Sequence, residues 1–277
     1  MIKHALIVCL CIASSASLSL GASAAPGAAA TQGEKKAEAA DKRPDLAATL
    51  DKLEKHVAKH GTEDTDAITM IGQLGGEFTK SGPHDKTAIV NALGKCIEAP
   101  RAEPKKGEFN NKLAIASADA LGQMGPESVP TLIANIGQKN LRKDIQLQRQ
   151  LLLSLGKTRD KDGIKTLTMN LENKDAPLVA AAAEGMGEFE DAKQDVRKDL
   201  FSAAIKALMA GKNAKDAEQA GSGATAHTNI ATERYDVISA PLLKTLHRLS
   251  KHDESTPELW ERWWNKNRQA NWESSKP

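Results

Sequence analysis

Few side chains in this sequence stand at spacings that could do chemistry. His56 and His60, in KLEKHVAKH, are one helical turn apart, and two imidazoles at i and i+4 can hold a zinc ion from one helix face. The metalloprotease glutamate is missing from the second position and no third ligand follows at a recognisable distance, so the pair reads as surface histidines on a lysine-rich face. In TRDKDGIKTLTMNLE, Asp160, Asp162 and Glu172 suggest a calcium loop. The third acid and a correctly placed glutamate are absent, and a hairpin turn accounts for the two aspartates. Cys96 ends the apolar series Ile89, Leu93, Cys96, a helical spacing that marks a buried, inert thiol. No Ser-His-Asp order, phosphate-cradling loop or haem-attachment motif occurs. The expectation is a non-catalytic chain with no catalytic residues, no metal and no cofactor.

The elements that would position any site follow from composition and repeats. Of 277 residues, 40% are hydrophobic and 27% charged, enough apolar material for a sizeable core. Residues 1–24 read as a secretory signal peptide: Lys3 and His4, the apolar run ALIVCLCIA, then small residues ending in Ala22-Ser23-Ala24. The run is too short to span a bilayer, so cleavage and release to the periplasm or medium are expected, with no stable membrane span afterwards. Residues 25–45 carry alanine as their sole apolar type and read as a disordered linker. The 38 basic and 36 acidic residues are interleaved, which leaves no stripe for phosphates and argues against a nucleic-acid partner.

From Leu46 onward apolar residues recur at three and four, as in Leu46, Leu50, Leu53 and Val57, and no stretch alternates, so the fold class is all-α. ADALGQMG, LLLSLGKT and AAEGMGEF each end an apolar run in glycine. Gly122, Gly156 and Gly187 follow one another at 34 and 31 residues, the sign of a repeat. Each is expected to supply the left-handed conformation that stops a first helix. Second helices are expected over 126–138, 161–173 and 192–210, with 98–110 and 211–229 as long links. The repeat array spans 46–252 and a Trp-rich helix with its tail spans 253–277.

Within ELWERWWNKNRQANW, all four tryptophans of a chain with only 3% aromatic residues come together. Thr256, Pro257 and Glu258 form a helix start, and Leu259, Trp260, Trp263 and Trp264 then share a face of roughly 140° at 100° per residue. Such a face either plugs the open end of a helix stack, as terminal repeats require, or offers a stacking platform to glycans or bases. The plug reading makes Leu259, Trp260, Trp263, Trp264 and Asn267 a structural cap.

ALGQMGPESVPTLIANI and the stretch LLLSLGKTRDKDGIKTLTMNLENKDAPLVAAAAEGMG resemble HEAT-type repeats, the two-helix units also seen in armadillo-like and phycobilisome-lyase-like arrays. The ending LLKTLHRLSKHDESTPELWERWWNKN is similar to that of exported bacterial HEAT-repeat proteins, which close on Leu-x-x-Leu-Thr-Gly, a link, and W-x-x-W-W with an asparagine. Leu246, Leu249, Trp260, Trp263, Trp264 and Asn267 match, while Ser250-Lys251 replaces Thr-Gly. The resemblance implies a right-handed α-solenoid of stacked hairpins. It carries no lyase chemistry here, because no residue constellation would position a tetrapyrrole.

The functional expectation is a non-catalytic, exported scaffold or adaptor that holds a protein or peptide partner on the concave surface of its second helices. Register between units pairs Thr131 with Lys165, Asn135 with Met169 and Gln138 with Glu172 as outward positions; ordinary solvent exposure is their other reading. The alternative is an envelope structural or glycan-binding module with an exposed Trp helix.

Overall fold

The structure, a computed structural model, describes residues 40–100, 109–221 and 229–274. The expected signal peptide and most of the expected linker lie outside the described residues. Among the described residues eleven α-helices follow in order: α1 (Pro44–Val57), α2 (Asp64–Phe78), α3 (Pro83–Glu98), α4 (Lys112–Gly122), α5 (Val129–Asn135), α6 (Ile145–Lys157), α7 (Ile164–Asn170), α8 (Ala176–Gly187), α9 (Gln194–Gly221), α10 (Ile230–Ser250) and α11 (Pro257–Asn267). Among the described residues there is no strand, and the chain is all-α.

Alternate helices pack together. α2, α4, α6, α8 and α10 lie side by side in one layer, while α3, α5, α7 and α9 succeed one another more loosely in a second, and α11 packs on α9. This layering of hairpins is compatible with a helical-repeat solenoid. The sequence dictates the difference between layers. Leu151, Leu152 and Leu155 on α6 and Leu178, Val179, Ala181, Ala182, Ala183 and Met186 on α8 are buried, because a helix flanked on three sides needs apolar or small residues almost all round.

The repeat glycines have a different role from the one expected of them. Gly122, Gly156 and Gly187 are the last or next-to-last residues of α4, α6 and α8, and none of them has a positive φ. What Gly122 and Gly156 supply is closeness, whereas a Cβ on Gly187 would meet only the Arg248 and Thr245 side chains, at 3.3 Å or more. A Cβ on Gly156 would lie 2.3 Å from Cα of Gly185, and one on Gly122 would lie 2.9 Å from Cα of Ser154. Their spacing therefore records where one first helix touches the next. Left-handed turns fall to Gly125 (φ 66°) and Gly137 (φ 74°) instead. Gly137 follows α5, and its N–H donates to Oε1 of the buried Gln148 at 2.7 Å. Glycines with room beside them behave otherwise. A Cβ on Gly75, inside α2, meets nothing within 4 Å; Gly75→Ala is expected to raise stability by about 0.5–1 kcal/mol in urea melts.

The second helices are also displaced from their expected ranges. α5 and α7 are two turns each, entered through short 3-10 turns at Gly125–Ser128 and Lys161–Gly163, whereas α9 runs 28 residues and continues well past 210. Half of the expected 211–229 link is thus helical; 222–228 lie outside the described residues. At the other end, residues of the expected linker are tied down. Arg43 pairs with Asp85 at 3.0 Å and Glu77 at 2.8 Å, and the Gly82 N–H donates to the Ala40 carbonyl at 2.8 Å.

Candidate functional site: a groove between α7, α9 and α10

The mismatch between a two-turn α7 and an eight-turn α9 has a structural result. Beyond the end of α7, one face of α9 has no second-layer neighbour. That face carries Ala203, Ala207, Ala210 and Ala214, spaced by four, three and four, so no long side chain fills the space. A groove of about 340 Å³ opens there, floored by these alanines and walled by Leu171 and Ile238. Lys206, Glu172 and Arg234 also line it. Arg234 is fixed in the groove wall by its guanidinium, which donates to the carbonyls of Asn173 and Lys174 at 2.6 Å each.

Local chemistry explains why α9 stays helical through GKNAKDAEQAG. The Glu218 carboxylate accepts from the backbone N–H groups of Ala231 and Thr232, both at 2.9 Å, which satisfies orphan donors at the start of α10. Lys215 pairs with Asp236 at 3.0 Å and lies over the Tyr235 ring at 5.0 Å. These ties hold the far halves of α9 and α10 together, and they keep the alanine face presented.

Four large apolar side chains stand exposed among the described residues: Phe109, Met169 (65%), Ile230 (66%) and Val237 (44%). Three of the four are on α7 and α10, the elements that wall the groove. At 100° per residue, Ile230 and Val237 lie within roughly one quadrant of the groove-lining Arg234. A larger cleft of about 560 Å³ runs between α1 and α3, over Leu50, Val57 and Ala92, yet neither helix exposes a large apolar residue.

The structure separates the six positions expected to face a partner. Lys165, Met169 and Glu172 are exposed, and Glu172 lines the groove. Asn135 does not belong with them. It is 1% exposed, its Nδ2 donates to the Thr131 carbonyl at 2.9 Å, and its own carbonyl accepts from Gln148 Nε2 at 3.2 Å. Thr131 is half-buried and faces Gly94 of α3, and Gln138 is half-buried with its Oε1 enclosed. The register argument fails at α5 because α3 packs over it, whereas α7, packed mainly on α8, leaves Lys165, Met169 and Glu172 exposed. Missed altogether were Ala203, Ala207, Ala210 and Ala214, whose spacing is visible in the sequence, and Ile230, Arg234 and Val237, which follow the expected 211–229 link within the repeat array and were given no role.

The tryptophan helix packs on α9. Trp260 is 1% exposed and meets Phe201 edge-on at 5.7 Å, and Trp264 stacks on the same ring at 5.0 Å. Leu259, Trp263, Trp264 and Asn267 are half-buried. Trp272, outside the expected set, folds back to 5.6 Å from Phe201. Thr256 caps α11 by accepting from the Leu259 N–H at 3.3 Å. Lys212 of α9 reaches Glu258 at 2.9 Å, and this hydrogen bond holds the Glu258 carboxyl at about 2, below its ordinary 4.5. Since the folded value is the lower one, the pair stabilises above pH 4.5 and its contribution fades as pH falls towards 2. Glu258→Gln is therefore expected to lower urea stability at pH 7 and to match the parent near pH 2, read from tryptophan emission.

The other candidates resolve into local structure. α1 ends at Val57, so His56 and His60 do not share a helix face. His56 Nδ1 lies 2.8 Å from Glu63 Oε2, and His60 sits in a turn at φ 50°. Asp160 Oδ1 accepts from the Asp162 N–H at 2.8 Å, closing the turn before α7, and Cys96 is buried in α3. Among the described residues, no group of three or more His, Cys, Asp or Glu is placed to hold a metal ion, and no helix is long and apolar enough to cross a membrane. The chain matches no protein-family profile, no curated protein and no solved structure.

Proposed function

We propose that the chain is a non-catalytic scaffold of the HEAT type, a right-handed solenoid whose groove between α7, α9 and α10 receives an apolar helical segment of a protein partner. One observation carries this reading: an alanine-floored groove opens between helices, and two of the elements that wall it, α7 and α10, carry three of the four large apolar side chains exposed among the described residues. Exposed apolar groups gathered around a concavity mark a binding surface. A helix is the favoured occupant because alanines at intervals of four and three form a seam into which a second helix can settle closely. Lys206, Arg234 and Glu172 then sit where the polar flank of that helix would run. The Trp helix on α9 serves as the cap of the second layer, and the signal expected at residues 1–24 would place the partner outside the cytoplasm.

The test is a displayed peptide library panned on the folded protein. Enriched sequences should carry apolar residues at three and four, and Ala210→Arg should weaken their binding by about tenfold or more, a cost of about 1.4 kcal/mol. Ala210 is exposed, so this variant keeps the fold. Peptides that bind parent and variant equally would sink the proposal.

A further inference from the structure

A second cavity, of about 490 Å³, lies between the α8–α9 turn, the α10–α11 link and the C-terminal tail. Its most buried polar wall is Arg197, in the first turn of α9, whose side chain is 6% exposed. Nη1 of Arg197 donates to the Leu249 carbonyl at 2.9 Å and Nη2 to the Glu273 carboxylate, while Nε has no partner. A guanidinium offers a planar fork suited to both oxygens of a carboxylate; here that fork is half used. The carboxylate it meets comes from a tail side chain that is 63% exposed. An internal carboxylate this open to solvent can be exchanged for an external one.

The remaining walls say what the external group would carry. Trp272 lies 5.8 Å from the guanidinium carbon, and Trp263 stacks on His252 at 4.9 Å with 13° between the planes. Glu190, Asp191 and Lys251 also line the cavity, with Lys251 lying 3.5 Å from Glu190 and 3.9 Å from Asp191. Glu190 is further met by Arg248 at 3.1 Å. Two cations lie beside the Trp272 face: Lys198, whose Nζ is 5.6 Å from the ring centroid and donates to the Ala270 carbonyl at 2.7 Å, and Arg197, which lines the cavity near the positive end of the α9 dipole.

We propose that this cavity is a binding site for a carboxylate joined to a flat aromatic group, and that Glu273 is its resident stand-in. The ligand carboxylate displaces Glu273 from Arg197, accepts from Nη2 and Nε, and lays its ring against Trp263 or Trp272. The site is separate from the α7–α9–α10 groove and does not depend on it.

Titration of the full chain with phenylacetate, followed by the indole N–H resonances, tests this. Glu273→Gln removes the competing carboxylate without removing the fork, so phenylacetate should bind that variant about tenfold or more tightly than the parent. Phenylacetamide, of the same shape without charge, should bind neither, and Arg197→Lys in the Glu273→Gln background should lose the gain while keeping the charge. A short peptide ending in phenylalanine, as free acid and as amide, separates the sources. If the free acid outbinds phenylacetate, the ligand is a polypeptide C-terminus; if phenylacetate outbinds it, a small carboxylate. A folded Glu273→Gln protein with no gain in affinity, or equal binding of the amide, would overturn the proposal.

Discussion

Trp260→Ala is expected to lower unfolding stability by about 3–5 kcal/mol, the usual range for emptying a fully buried aromatic site. The side chain is 1% exposed, touches Phe201 edge-on, and lies within 5.9 Å of the Trp263 ring centroid and 5.8 Å of the His252 ring centroid. Phe201 is itself fully buried and cannot collapse into the space, because Trp264 and Trp272 hold its other sides. Trp260→Phe separates packing from polarity. Nε1 of Trp260 is buried without a hydrogen-bond partner, so removing the indole N–H also removes an unmet donor, and the net cost should stay within about 1.5 kcal/mol. Urea melts of both variants measure the difference. Equal losses for Ala and Phe would mean that α11 contributes little through the packing of this ring.

Gly156→Ala should cost about 3 kcal/mol, at the upper end of what overpacking a core exacts. The added carbon would lie 2.3 Å from Cα and 2.5 Å from the carbonyl oxygen of Gly185. Both are backbone atoms, so no rotamer change relieves the clash and α6 and α8 must separate. Separation exposes neighbouring buried leucines and alanines along both helices. The contrast with Gly75→Ala, expected to stabilise, makes this a test of contact geometry and not of helix propensity, since propensity favours alanine at both places. A neutral Gly156→Ala would show that the first-layer helices are not fixed by this contact.

Much of this fold can be read from periodicity, and the reasons for the misreadings are physical. The apolar phase of α4, α6 and α8 reports burial directly, because these helices sit between neighbours. Glycine is ambiguous in sequence: it marks a left-handed turn at Gly137 and a helix–helix contact at Gly156, and only the position of the next helix distinguishes the two. The stretch GKNAKDAEQAG reads as a link because Gly211, Asn213 and Asp216 are weak helix formers. Its helicity comes from Glu218 and Lys215 acting on α10, a tertiary effect beyond the reach of local propensity. Asn135 shows the same limit from the other side. A polar residue in phase with solvent-facing positions is buried because Gln148, thirteen residues on, supplies its carbonyl with a donor. As for the groove, Met169 and Glu172 follow from repeat register, but the alanine floor matters only once α7 is known to stop after two turns.

The most direct measurement is methyl NMR of the protein titrated with a helical peptide enriched by panning. The account predicts shifts at the methyls of Ala203, Ala207, Ala210, Ala214, Met169 and Ile238, with α1 and α3 silent. Shifts confined to Leu50, Val57 and Ala92, or to the indoles of Trp263 and Trp272, would contradict it and move the partner surface elsewhere.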